Sequence, residues 1–242
     1  LARRRALDQP GATPRREPDE VRILSGVYQG RATGAPICML VENTDAESGA
    51  YADFVRRPRP GHADYPARLK YGGFNDPRGG GRFSGRITAG FVMAGAVARL
   101  VLWRVGIEVD AHTVAIGGVT APQCDADLIS ERRQLNSLSC CDEASAVRMS
   151  EVIEAARASG DSVGGVVECV VRGLPPGAGE PVFAGVEGEI ARAVFAIPAV
   201  KGVEFGAGFA VSRLPGSEAN DPFAVREGRI ITTKNDSGGV LG

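Results

Sequence analysis

The sequence has only two histidines, His62 and His112. Imidazole is the side chain whose ordinary pKa lies closest to neutrality, so acid–base chemistry by histidine is limited to two positions. The five cysteines (Cys38, Cys124, Cys140, Cys141, Cys169) form no CxxC pair and no metal-ligand spacing, which excludes a cysteine-based metal centre. Their number is odd, and Cys140 and Cys141 are adjacent, a poor geometry for an ordinary disulfide. Free thiols in a reducing cytoplasm are therefore expected. The common phosphate-loop signatures are missing too. GGGRFSG at 79–85 is not followed by Gly-Lys-Ser/Thr and lacks GxGxxG spacing. The opening residues do not read as a secretory leader, and none is expected. The longest apolar run, Ile87–Ala98, stops at Arg99, short of the ~20 residues of a membrane helix, so no membrane partner is expected. A net charge of −1 argues against general nucleic-acid binding.

What the chain does have is one dense stretch, RPGHADYPARLKYGGFNDPRGGGRFSGR, at 59–86. It holds His62, five arginines, Lys70 and the triplet Gly79–Gly81. Glycine lets backbone N–H groups approach an anion, and arginine supplies a fixed, forked positive charge. His62 lies in a polar loop next to Gly61 and close to Asp64, outside any apolar pattern, which favours a functional role. His112 follows Asp110 and Ala111 in a strand-like stretch and reads as structural. Charge is uneven along the chain. Through residue 90 there are 15 Lys and Arg against 10 Asp and Glu, and beyond it 13 against 19. Arg4, Arg15, Arg16, Arg56 and Arg57 extend the basic theme, although surface solvation is the default for any one arginine. The stretch thus reads as a site for ligands bearing phosphate and carboxylate, with the N-terminus of the following helix as a further anion support.

The 242 residues suffice for one domain or two small ones. Val21–Tyr28 and Pro36–Glu42 read as strands, and 43–86 as a long irregular loop of the kind that is usually functional. Thr88–Val105 reads as a helix apolar nearly all round, hence buried on most faces, with Trp103 in the core. Ile107–Ile116 and Gly164–Val171 read as strands, and 118–141 as loop with short pieces. Asp142–Ala158 and Glu187–Phe195 read as helices. Val203–Val211 reads as a strand interrupted by glycines, Ser212–Phe223 as a polar loop, and Glu227–Lys234 as a hairpin strand. Strand and helix do not alternate regularly, which favours α+β with antiparallel sheets over a doubly wound parallel sheet.

Several segments together resemble the chorismate synthase family: REPDEVRILSGVYQG, RPGHADYPARLKYG, RGGGRFSGRITAG, GDSVGGVVE, GEPVF, IPAVKGVEFGAGF and NDSGGVLG. They occur in the family's order and run almost from end to end. The resemblance implies a β-α-β sandwich in which antiparallel sheets enclose helices. It implies a carbon–oxygen lyase that eliminates phosphate from 5-enolpyruvylshikimate 3-phosphate to give chorismate, on the route to aromatic amino acids. It implies reduced FMN as cofactor with NADPH as a possible reductant, a cytoplasmic homotetramer, and no nucleic-acid partner. By position, His62 matches the family histidine placed by the flavin. Arg82, Phe83 and Ser84 match a flavin-binding segment, Pro198 and Ala199 a second contact and Gly242 a third. Arg4 matches an arginine near the substrate and nicotinamide positions. The family's GESHG, KPT and RHDPC segments are not in the sequence, Pro10 stands where a second arginine is expected, and Ile87 where many members have glutamate. The expectation is one domain over 1–242, truncated at both ends. Two other readings accompany it: a non-catalytic fragment that binds ligand or partner subunits, and a flavin reductase using a nicotinamide cofactor.

Overall fold

The computed structural model describes residues 1, 17–44 and 48–241. They fall into two compact units, Leu1–Leu174 and Pro175–Gly242.

The first unit is built on an antiparallel sheet. Strand β5 (Glu108–Ile116) pairs along its length with β7 (Gly165–Arg172), from Glu108 opposite Arg172 to Ile116 opposite Gly165. The short β6 (Val119–Thr120) pairs with the other edge of β5. Ahead of this sheet, β1 (Arg22–Ser25) pairs antiparallel with β4 (Cys38–Leu40), and β2 (Val27–Tyr28) forms a tight hairpin with β3 (Arg31–Ala32). Helices α1 (Asp64–Lys70), α2 (Thr88–Arg104), α3 (Ile129–Arg132) and α4 (Glu143–Ala158) complete the unit. The α4 helix starts where sequence chemistry places it: the Asp142 carboxylate accepts a hydrogen bond from the Ser145 amide at 2.8 Å, an N-cap.

The core is small and sits under β5. Ile129, Cys140 and Met149 are wholly buried. Ala146 and Met149 of α4 pack with Cys140 against Ile116, Val119 and Leu138. Cys124 and Cys141 cluster on Ile129. His112 is 2% exposed, and its Nε2 lies 2.8 Å from a Glu168 carboxylate oxygen directly across the ladder, in keeping with a structural role. The buried Asp110 is neutralised by Arg133 and Arg172, each at 3.1 Å. Buried carboxylates require such partners.

Two expectations about α2 fail. It packs on β5 through one side, and only Ala89 is buried. Leu100, Val101 and Trp103 are 62–67% exposed, so Trp103 is not a core residue. An apolar helix surface records a capacity for burial, and β5 satisfies part of it. With the turn before it, the twenty-residue stretch Gly85–Arg104 is long and apolar enough to cross a membrane by length and composition. The isolated apolar run did not suggest this. Two of its three arginines are nonetheless engaged within the unit: Arg86 with Glu17 and Asp19 at 2.7 and 2.9 Å, and Arg99 with Asp110 at 3.9 Å.

The second unit holds α5 (Val186–Val194), the short α6 (Gly216–Ala219) and the hairpin of β8 (Phe223–Arg226) with β9 (Arg229–Thr232). The expected strand over Val203–Val211 is instead a turn leading into a 3-10 segment, Gly208–Arg213. Backbone contact explains the difference. A Cβ on Gly206 would lie 2.1 Å from the Asp236 carbonyl oxygen, and one on Gly238 would lie 2.4 Å from the Gly206 nitrogen. The Ala207 amide donates to that same Asp236 oxygen at 2.8 Å. The 203–209 and 235–239 loops therefore interlock through bare backbone, and the polar stretch expected before Phe223 contains α6. Mixed helices with antiparallel sheets make the protein α+β, as expected.

Candidate active site

The basic stretch is more ordered than its composition suggests. A 3-10 segment, Ser48–Val55, packs against a second one, Arg78–Phe83, which contains the glycine triplet. Gly79, Gly80 and Gly81 all have positive φ, and a Cβ on Gly81 would lie 2.3 Å from the Asp76 carbonyl oxygen. Only glycine fits there. Between the two segments runs α1. Tyr71 caps its C-terminus, and the Tyr71 ring lies 6.3 Å from the Phe83 ring, centroid to centroid. At its N-terminal end is the loop Arg59–Asp64 that carries His62. Thus His62 and the Arg82–Ser84 segment occupy one contiguous piece of the first unit, linked through α1.

Four of the five arginines expected to receive anions are engaged with protein. Arg59 forms a forked pair with Asp64, Nε to Oδ2 at 2.9 Å and a terminal nitrogen to Oδ1 at 3.0 Å. Arg78 does the same with Asp76 at 2.9 and 2.7 Å. Arg86 pairs with Glu17 and Asp19 and donates to the Glu42 carbonyl. Arg68 donates to the Val55 carbonyl at 2.6 Å. Arg82 is exposed and makes no hydrogen bond or ion pair among the described residues. Of these five, Arg82 alone keeps a free guanidinium among the described residues, beside a glycine turn. Both paired carboxylates are held far below the usual range: Asp64 at about 2, chiefly by hydrogen bonds from Arg59, and Asp76 at about 2, chiefly by those from Arg78.

The His62 ring is exposed and makes no hydrogen bond among the described residues. Both ring nitrogens are therefore open to a bound molecule. Phe83 is 41% exposed, an aromatic face for a flat ring. The Ser84 hydroxyl oxygen accepts from the Arg86 amide at 3.2 Å, which leaves its own hydrogen to donate. Ser84 also caps the short turn Gly85–Ile87 that opens α2. Ile87, at the position where glutamate was anticipated, is apolar and exposed.

Pro198 and Ala199 lie in the second unit, exposed, just past α5. Ala199 has φ +69, a left-handed conformation uncommon for a residue with a side chain. In the same unit, the Asp221 carboxylate accepts from the amides of Asp236 and Ser237 at 2.8 and 2.9 Å, which lowers its pKa and fixes the 235–239 turn. Arg4, Pro10 and Gly242 lie outside the described residues.

A site of this kind suits a flat aromatic ligand with an anionic group: free guanidinium, hydroxyl donor, bare backbone, exposed ring and a free imidazole. Such a site on an α+β scaffold is that of a protein acting on a small molecule. The chain belongs to the chorismate synthase family, whose profile matches residues 1–242. It is 52% identical over 98% of its length to the chorismate synthase of Korarchaeum cryptofilum, covering 66% of that protein. It is 53% identical over 95% of its length to that of Dehalococcoides mccartyi, covering 63%, and 50% identical over its full length to that of Thermococcus kodakarensis, covering 67%. The chain thus spans about two thirds of the length of these relatives. Among solved structures, a chorismate synthase crystal structure superposes with TM-score 0.76 at 28% identity over 93% of this chain and 67% of that one.

The sequence did not reveal the Arg59–Asp64 and Arg86–Glu17–Asp19 pairings, which join positions up to 69 apart. Asp76 and Arg78 sit only two residues apart, yet Arg78 too was read as an anion receptor.

Proposed function

We propose that this chain carries out, as part of its whole gene product, the elimination of phosphate from 5-enolpyruvylshikimate 3-phosphate to give chorismate. In that reaction a C–O bond to phosphate and a C–H bond on the ring break, and a second ring double bond forms. The observation that carries the reading is the single contiguous segment holding the unbonded His62 ring, the uncommitted guanidinium of Arg82, the exposed Phe83 face and the glycine triplet. Membership of the family and 50–53% identity to named chorismate synthases support it.

The same segment fits reduced FMN. The Arg82 guanidinium and bare glycine backbone suit a phosphate dianion, and the Phe83 ring suits an isoalloxazine face; the roles of Pro198, Ala199 and Gly242 as flavin contacts rest on the family resemblance alone. When bound, the flavin supplies an electron-rich ring that assists departure of phosphate. His62 holds or releases a proton at an open ring nitrogen. Arg82 and the Ser84 hydroxyl bind and orient anionic oxygens. We further assign a homotetramer as the working assembly and the cytoplasm as location. Five thiols free of disulfides support a reducing compartment.

The test is anaerobic incubation of the protein with chemically reduced FMN and 5-enolpyruvylshikimate 3-phosphate, following chorismate absorbance. Turnover is expected. Flavin binding without turnover would favour a non-catalytic ligand-binding role, and NADPH oxidation with FMN alone a reductase.

A further inference from the structure

The loop that presents His62 is closed on itself. Asp64 is the first residue of α1, where a carboxylate would ordinarily stay near its own helix N-terminus. Instead it reaches back five residues and accepts three hydrogen bonds from Arg59: the backbone amide at 3.0 Å, Nε at 2.9 Å and a terminal nitrogen at 3.0 Å. The His62 amide points into the same ring of chain and donates to the Arg59 carbonyl at 3.4 Å. The clamp is itself anchored. The Arg59 guanidinium lies 4.3 Å above the Phe54 ring and 5.5 Å from that of Tyr51, and these rings meet edge to face at 5.7 Å. Both charged side chains are largely shielded, at 27% and 18% exposed. Charge-assisted forked pairs fix geometry as well as charge, and an arginine over aromatic faces is held in direction.

We propose that Asp64 is a positioning residue. By clamping both the backbone and the guanidinium of Arg59, it holds the intervening loop so that the otherwise unrestrained His62 ring points at the reacting ligand. The inference rests on the reading of His62 as the proton-exchanging group. It also explains why the nearest acidic side chain makes no hydrogen bond to the imidazole: the carboxylate is spent on the loop, and the ring stays open to ligand.

The experiment follows the His62 ring itself. In a two-dimensional proton–carbon NMR spectrum the ring Cε1–H signal lost in His62→Ala is that of His62, and the one lost in His112→Gln, that of His112, serves as internal sentinel of the fold. Asp64→Asn is expected to move the His62 signal toward its random-coil position and leave His112 in place, with Asp64→Ala doing so more completely. In turnover with reduced FMN, Asp64→Asn is expected to lower kcat about 10–100-fold, the scale of a small misplacement of a reacting group, with KM altered less than about threefold. In the His62→Ala background the same substitution should cost less than about twofold, since the group it positions is gone. An unmoved His62 signal in both Asp64 variants, or equal losses in the two backgrounds, would overturn the positioning role while leaving His62 as proton donor. Unchanged kcat in His62→Ala alone would overturn the reading of the histidine, and the catalytic purpose of the clamp with it. Should Asp64→Ala not fold, Asp64→Asn, which keeps one acceptor for the Arg59 amide, decides the matter.

Discussion

The two histidines sit in regions built on opposite principles. His62 stands in a loop held by directional polar contacts: a forked ion pair, backbone amides and an arginine over two rings. Its ring has no hydrogen bond among the described residues. His112 is 2% exposed in the middle of β5, and its Nε2 is tied to Glu168 across the sheet. It lies in the part of the unit that buries Ile129, Cys140 and Met149. Packing that buries an imidazole also uses it up. A loop braced by charges and glycines can be rigid while leaving its reactive group exposed.

The sharpest way to break that contrast is to remove each ring in turn. His62→Ala should lower kcat about 10²–10⁴-fold, or about 3–5 kcal/mol of barrier, and leave the thermal midpoint unchanged. His112→Ala should lower the midpoint and strand the Glu168 carboxylate, while kcat per folded molecule is kept. Steady-state kinetics beside thermal unfolding reads both, and equal losses of midpoint would dissolve the distinction. Next in size, Met149→Ala should destabilise by about 2–5 kcal/mol, the cost of emptying a fully buried site. Phe83→Ala should cost only about 1 kcal/mol, since its Tyr71 contact is a surface ring pair, but it should weaken flavin binding. Denaturant titration and flavin titration separate the two. Gly81→Ala should cost about 1–3 kcal/mol from its disallowed conformation, with further loss from the clash with the Asp76 carbonyl. It should reduce flavin affinity, whereas exposed Arg56→Ala should change neither.

The α+β class, helices α2, α4 and α5 and the strands β5 and β7 were legible because periodicity and caps are local: Asp142 before α4 is one such signal. His62, Arg82, Phe83 and Ser84 were legible as a group because their segment is compositionally unusual. What was illegible depends on partners distant in sequence. Five arginines looked like five anion receptors, yet Arg86 is answered by Glu17 and Asp19, and Arg59 by Asp64. No spacing rule identifies those pairs. The Val203–Val211 stretch looked extended because its apolar residues are strand formers. The interlock of Gly206 with Gly238 overrides that preference, and a contact between bare backbones leaves no side-chain trace. Likewise α2 carries apolar residues on every side, and the sequence has no means of saying which side finds a partner.

The smallest expected effects lie at the extremes of pH, and they separate the two regions by sign. Asp64 is held at about 2 in the folded protein, first by hydrogen bonds from Arg59, against about 4 in an unfolded chain. A lowered folded pKa means the pair contributes to stability above the unfolded value. That contribution is lost as pH falls from about 4 through about 2. Cys141 behaves in the opposite sense: burial first, then its contact with the Cys124 thiol, pushes its pKa up to about 12. A raised folded pKa means its contribution is present below the unfolded thiol value near ~8.5 and is lost as pH rises toward about 12. Acid should therefore loosen the His62 loop before the core, and alkali the core before the loop. Backbone amide signals of His62 and Ala63 should shift between pH about 4 and about 2 while those of Met149 hold, each effect below about 1 kcal/mol because the clamp is partly solvated. The same physics makes exposed Cys38 alkylate at pH ~8 while Cys141 stays protonated and unreactive until the unit unfolds. Equal alkylation rates for the two thiols in the folded protein would show that the Ile129 cluster is open to solvent, and the contrast between a sealed core and an open loop would fail at its buried end.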